Sequence, residues 1–84
     1  MEKFQKIKIY TKSQCPFCIQ LIQFLNAEGL SFENISVDWD LELYQNLKRE
    51  TNHHTVPQVF VDGEFIGGSE DFLRLYSTNE RASV

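Results

Sequence analysis

The chain predicts an α/β fold in a single domain over residues 1–84: a mixed four-stranded central sheet with helices on both faces, in the order β-α-β-α-β-β-α. Three observations carry this. Apolar residues switch repeatedly between a period of two and a helical period. The first two strand-like segments flank a helical one, which calls for a parallel pair joined by a right-handed crossover. Asp62-Gly63 separates the last two strand-like segments as a two-residue hairpin turn. At 84 residues there is room for one small domain. Seven Phe, three Tyr and one Trp supply enough bulky apolar surface to fold without metal or structural disulfides.

Phe4 to Tyr10 alternates apolar and basic residues, Ile7 and Ile9 against Lys6 and Lys8, and reads as a strand. From Pro16 to Glu28 the period changes. Cys18, Leu21, Ile22 and Leu25 recur at helical spacing with Gln20 and Gln23 on the other side. Pro16 suits a first turn, where no N–H is needed, and Gly29 is the stop. Leu30 to Asp38 alternates again through Phe32, Ile35 and Val37. A second helix covers Leu41 to Thr51, with Leu43, Tyr44 and Leu47 as its apolar face. Asp38, Asp40 and Glu42 form its solvated start, where acids favour the helix dipole.

Val56 to Val61 is a strand, and Glu64 to Ile66 returns antiparallel to it. Gly67-Gly68 breaks the pattern. Ser69 then caps a short helix through Phe72, Leu73 and Tyr76, which ends before the polar tail Thr78 to Val84. Phe24, Phe32, Phe60, Phe65 and Phe72 belong in or near the core, and Trp39 is expected to pack while half exposed.

Charge and composition exclude several functions. Eight basic against 12 acidic side chains leave a net charge of -4, which argues against a sequence-independent nucleic-acid binder. No apolar stretch suits a signal core or a membrane span, so the expectation is a cytoplasmic protein without a membrane partner. In that compartment a thiol pair is catalytic more often than structural.

The only two cysteines stand in Cys15-Pro16-Phe17-Cys18, between a strand and a helix, which is a redox signature. Residues three apart on a helix are neighbours, so two thiols there can close into a disulfide with little backbone movement. At Cys15 the helix is just beginning. Its free N–H groups and positive dipole end favour thiolate, and Lys12 adds a charge. Cys18 shares a face with Leu21, Ile22 and Leu25 and therefore points inward. A zinc site would need about four ligands. The other candidates, His53 and His54, are adjacent in an extended segment and point opposite ways, so no metal is expected; both read as surface loop residues, the alternative being that one lies near the groove and adds pH sensitivity.

Three segments stand in order along the chain: Tyr10-Thr11-Lys12-Ser13-Gln14-Cys15-Pro16-Phe17-Cys18, Thr55-Val56-Pro57-Gln58-Val59-Phe60-Val61 and Ile66-Gly67-Gly68-Ser69-Glu70-Asp71. Together they resemble the glutaredoxins of the thioredoxin superfamily, specifically the dithiol class with a Cys-Pro-Tyr/Phe-Cys centre. The resemblance implies a thioredoxin-like fold, Cys15 as nucleophile and Cys18 as resolving thiol. It implies that Lys12 meets the glycine carboxylate of glutathione and that Phe17 walls the groove. It makes Val56-Pro57 a cis step whose Val56 N–H and C=O pair with the cysteine of glutathione, flanked by Thr55. Gly67-Gly68 then allows close approach of the backbone, and the N–H groups of Ser69 and Glu70 receive the γ-glutamyl carboxylate.

The chain departs from the family where many members carry Arg or Gln on the second helix. Tyr44 stands there, leaving Gln45, Lys48 or Arg49 as substitutes. His53-His54 also replaces the usual small or basic residues.

The function implied is a glutathione-dependent thiol-disulfide oxidoreductase that reduces protein disulfides and protein-glutathione mixed disulfides. Glutathione is its reductant, no cofactor is permanently bound, and it works as a monomer. Its partners are glutathione and disulfide-containing or glutathionylated proteins. One rival is an electron donor recharged by thioredoxin reductase, against which Lys12 and the Gly67-Gly68-Ser69-Glu70 cradle speak. A second is an iron-sulfur carrier in which two chains hold a cluster through Cys15 and two glutathiones. By analogy Pro16 disfavours it, since cluster-binding members usually have a more permissive residue there.

Overall fold

The computed structural model describes residues 6–82, with side chains through Ser77. Its elements are β1 (Ile7–Thr11), α1 (Pro16–Ala27), β2 (Glu33–Ser36), α2 (Leu41–Thr51), β3 (Gln58–Val61), β4 (Glu64–Gly67) and α3 (Ser69–Ala82). The sheet runs β2-β1-β3-β4. β1 is parallel to β2 and antiparallel to β3, and β3 is antiparallel to β4, so the sheet is mixed, as the crossover and the hairpin require.

Alternation along β1 sends Ile7, Ile9 and Thr11 to one buried face. There Ile7 and Ile9 join Val59 and Val61 of β3, Leu21 and Leu25 of α1, and Phe72 of α3. A fully buried side chain of this size stabilises the fold by roughly 1.5–3 kcal/mol, which makes Phe72 and Leu25, both without exposed surface, principal anchors of α3 and α1. The other face carries Tyr10 and Phe60, which pack against Val37 and against Tyr44 and Leu47 of α2. The two layers hold β1 rigid, and the chain leaves its end directly into the thiol segment. Asp62 and Gly63 both have positive φ (52° and 87°), as the tight β3–β4 turn demands.

Several boundaries differ from the sequence reading. The start of the first strand at Phe4 lies outside the described residues. β2 is shorter than Leu30 to Asp38 because the residues before it close α1. Glu28, Gly29 and Leu30 donate their backbone N–H groups to Phe24, Asn26 and Leu25, with Gly29 at φ 70°.

β3 begins at Gln58 rather than Val56, since Pro57 has no N–H to offer a ladder and the Val56-Pro57 bond is cis. α3 continues to Ala82 instead of stopping before Thr78. No Gly or Pro follows Gly68, and polar residues alone do not end a helix. Trp39 does not pack: 95 % of its surface is exposed. No helix among the described residues is long and apolar enough to cross a membrane.

Candidate active site

β1 ends at Thr11, and the loop Lys12–Gln14 delivers Cys15 to the start of α1. Cys15 is the N-cap, with extended backbone (φ −125°, ψ 108°), and its sulfur accepts the backbone N–H of Cys18 at 3.2 Å. Pro16 follows in the first turn, where its missing N–H is no loss. Both thiols are free; Cys15 is half-buried and Cys18 is buried on the same helix face as Leu21 and Leu25. Burial pushes the Cys18 thiol up to about 12, reinforced by the neighbouring Cys15 sulfur and only partly opposed by a backbone hydrogen bond from Lys12. At neutral pH the inner thiol is therefore held protonated.

The loop bearing the nucleophile is tied across the sheet end. Both carboxylate oxygens of Asp38 accept the backbone N–H of Ser13, at 3.0 and 3.2 Å. Hydrogen bonding from Ser13, first through its side chain, holds the Asp38 carboxyl below its ordinary value, and Lys12 acts in the same direction. The Lys12 ammonium itself lies 4.6 Å from the centroid of the Tyr44 ring, and the Lys48 ammonium lies 4.5 Å from the same centroid. Tyr44 is held by its hydroxyl, which donates to the His54 carbonyl at 3.3 Å. One ring thus gathers two cations. Gln45 and Arg49 are exposed on α2.

Opposite α1 stands the segment before β3. The Val56 carbonyl oxygen is 3.7 Å from the Cys15 sulfur. This segment is braced by Gln58, whose side chain has no exposed surface. Its Nε2 donates to the carbonyls of His53 (2.6 Å) and Thr55 (3.2 Å), and its Oε1 accepts from the Thr51 hydroxyl (2.9 Å).

Of the residues singled out from sequence, Phe17, Thr55, Val56, Pro57, Gly68, Ser69 and Glu70 line one open cavity of about 210 Å³. Cys18 lies beneath the surface, and Lys12 stands outside the lining, on Tyr44. A larger cavity of about 520 Å³ between Lys6 and the β3–β4 turn holds none of these residues. It runs along the Lys8 and Tyr10 face of β1 and is lined by neither thiol, whereas the smaller one is lined by Val56, whose carbonyl meets the Cys15 sulfur, so the smaller one is where redox chemistry can meet a ligand.

Two further residues line it: His53, one of the pair for which a place near the groove was the alternative reading, and Asp71, which the sequence reading did not assign to the site. His53 enters the cavity with its Nε2 3.3 Å from the Thr55 hydroxyl and its ring edge-on to Phe65. Asp71 accepts the Gly68 N–H at 2.9 Å. The first helical bond of α3 runs from Phe72 to Gly68, so Gly68 rather than Ser69 takes the cap position. The three-residue spacing from Gly68 to Asp71 is the reach-back half of a capping box and was a usable signal. Nothing local in sequence marks His53. Among the described residues no group of three or more His, Cys, Asp or Glu side chains is placed to hold a metal ion.

Comparison with known proteins agrees with this geometry. The glutaredoxin family model matches residues 7–66. The chain is 39 % identical over 80 residues to an uncharacterized monothiol glutaredoxin ycf64-like of Synechocystis sp., covering 89 % of this chain and 75 % of that one. It is 32 % identical over 78 residues to glutaredoxin 3 of Escherichia coli strain K12, covering 93 % and 90 %. Among solved structures, a wheat glutaredoxin superposes with a TM-score of 0.80 at 34 % identity, covering 88 % of this chain and 71 % of that one. A thioredoxin-like fold, two adjacent thiols at a helix start and the match over most of the chain lead to one conclusion: this protein is a thiol-disulfide oxidoreductase belonging to the glutaredoxin family.

Proposed function

We propose that this glutaredoxin uses glutathione as its reductant and acts, as a cytoplasmic monomer, on protein-glutathione mixed disulfides and protein disulfides. The observation that carries the reading is the double role of Val56. It lines the 210 Å³ cavity and sets its carbonyl 3.7 Å from the Cys15 sulfur, so a small thiol peptide in that cavity has its sulfur beside the nucleophile. The peptide backbone of glutathione pairs with Val56 as a strand edge pairs with a neighbour, flanked by Thr55 and resting on Pro57. Its γ-glutamyl carboxylate meets the N–H groups of Ser69 and Glu70 at the start of α3, where helix geometry leaves donors free. Phe17 walls the opposite side. Lys12, with Lys48 beside it on Tyr44, attracts the glycine carboxylate.

The Cys15 thiolate attacks the glutathione sulfur of a protein-glutathione disulfide. The S–S bond breaks, the protein leaves as a thiolate that takes up a proton, and Cys15 is left bonded to glutathione. A second glutathione thiolate attacks the bound glutathione sulfur, releasing glutathione disulfide and the Cys15 thiolate. With a protein disulfide, Cys15 forms the mixed disulfide and Cys18, losing its proton as it attacks, displaces the protein. Two glutathiones then reduce the Cys15–Cys18 bond. Because Cys18 is protonated at rest, it does not compete for the first attack.

The test is steady-state turnover of a glutathionylated peptide in two coupled systems: glutathione with glutathione reductase and NADPH, and thioredoxin reductase with NADPH. Turnover in the first and none in the second is expected. The reverse pattern would overturn the proposal in favour of a thioredoxin-reductase-driven donor.

A further inference from the structure

The turn from β2 to α2 reads Asp38-Trp39-Asp40-Leu41-Glu42, acids alternating with large apolar residues. Leaving a bulky apolar side chain in water is costly when a fold can bury it, yet here Trp39 is 95 % exposed and Leu41, two positions on, is 68 % exposed. The turn that presents them is anchored at both ends. Asp38 accepts two hydrogen bonds from Ser13, and Asp40 caps α2 by accepting the Leu43 N–H at 3.0 Å. The backbone that carries the indole is fixed between two aspartates, so docking has little more than the side chain itself to order. Trp is also among the side chains most enriched at the energetic centres of protein interfaces.

The turn is coupled to the thiol centre, since Ser13 lies two residues before Cys15. It takes no part in the cavity assigned above to glutathione. A protein-glutathione disulfide has two halves, and only one can occupy that cavity.

We propose that Trp39 and Leu41 form the docking surface for the protein half of the substrate, and that this surface selects a segment carrying Arg or Lys close to its reactive cysteine. Charge decides the class. Asp38 and Asp40 flank the indole in sequence and Glu42 follows Leu41, so the turn is acidic, and Lys12, the cation acting on Asp38, has its ammonium over Tyr44. A guanidinium or ammonium stacked on the indole face gains a cation–π contact and carboxylate partners together, whereas an acidic segment meets like charge. The inference rests on the proposed substrate class, glutathionylated protein, and names what that site recognises.

Trp39 is the only tryptophan of the chain, so its fluorescence reports docking directly. Three glutathionylated peptides, identical except for Arg, Gln or Glu two residues from the cysteine, are titrated into the Cys15→Ser variant and turned over by the wild type. The Arg peptide is expected to change the Trp39 emission and to bind most tightly, with its advantage shrinking at high salt. Trp39→Ala is expected to lower kcat/KM about two- to fivefold for the Arg peptide. Trp39→Phe should recover part of that, and turnover of hydroxyethyl disulfide should not change. Equal binding of all three peptides, or an equal loss on all three in Trp39→Ala, would overturn the proposal. Wild type inactive on every peptide with glutathione would instead count against the substrate class, and the fluorescence titration would then decide docking alone.

Discussion

The backbone N–H of Cys18 donates to the sulfur of Cys15 at 3.2 Å, so the buried cysteine supports the outer one through its main chain while its own thiol stays withdrawn beneath it. Main chain and side chain of one residue thus do different work, and substitution separates them.

Cys15→Ser is expected to reduce both activities to the rate of uncatalysed exchange. Cys18→Ser retains the N–H that meets Cys15 and loses only the second thiol. It should keep turnover of glutathionylated peptides within a fewfold of wild type and lose reduction of protein disulfides. Both rates are read in the glutathione-coupled assay, and a parallel loss of the two in Cys18→Ser would contradict separate roles.

The Cys18 thiol sits at about 12 in the folded protein against an ordinary 9.0. Between those values the folded chain holds a proton that the unfolded chain has released, so stability is full below about pH 9 and falls as pH rises toward about 12. Urea unfolding across this range should show the decline, and Cys18→Ala should show a flatter one. In the reduced protein at about pH 7, iodoacetamide should modify Cys15 and spare Cys18, as peptide mass mapping would reveal.

Gln58→Leu fills much the same space but leaves the carbonyls of His53 and Thr55 without their amide partner, while the Thr51 hydroxyl keeps its bond to the Leu47 carbonyl. An orphaned buried polar group costs about 1–3 kcal/mol, so a loss of at least about 2 kcal/mol is expected in chemical denaturation. Because these groups hold the Val56 wall, KM for glutathionylated peptide should rise more than kcat falls.

Gly67 has φ 132°, a conformation that side chains rarely adopt, and a Cβ there would collide with the Asp71 carboxylate that caps α3. Gly67→Ala is expected to cost about 1–3 kcal/mol and lower the Tm by several degrees. Thermal unfolding measures it, and a stability equal to wild type would show that the α3 start tolerates rearrangement.

Much of this architecture was readable one segment at a time. The alternation of Ile7 and Ile9 with Lys8, the helical recurrence of Cys18, Leu21 and Leu25, and the Asp62-Gly63 turn each depend on residues a few positions apart, which is the range over which backbone preference and amphipathic patterning act. The same holds for the thiol pair and for the inward aim of Cys18. What required the folded chain is what joins distant segments. The Val56 carbonyl reaches Cys15 across 41 positions only because β3 lies beside β1. His53 enters the cavity, and Gln58 braces the loop, through contacts no periodicity encodes. Trp39 stayed in water because the short turn is pinned by Asp38 and Asp40 and no described residue packs over it, an outcome set by how the layers close and not by the hydrophobicity of the residue.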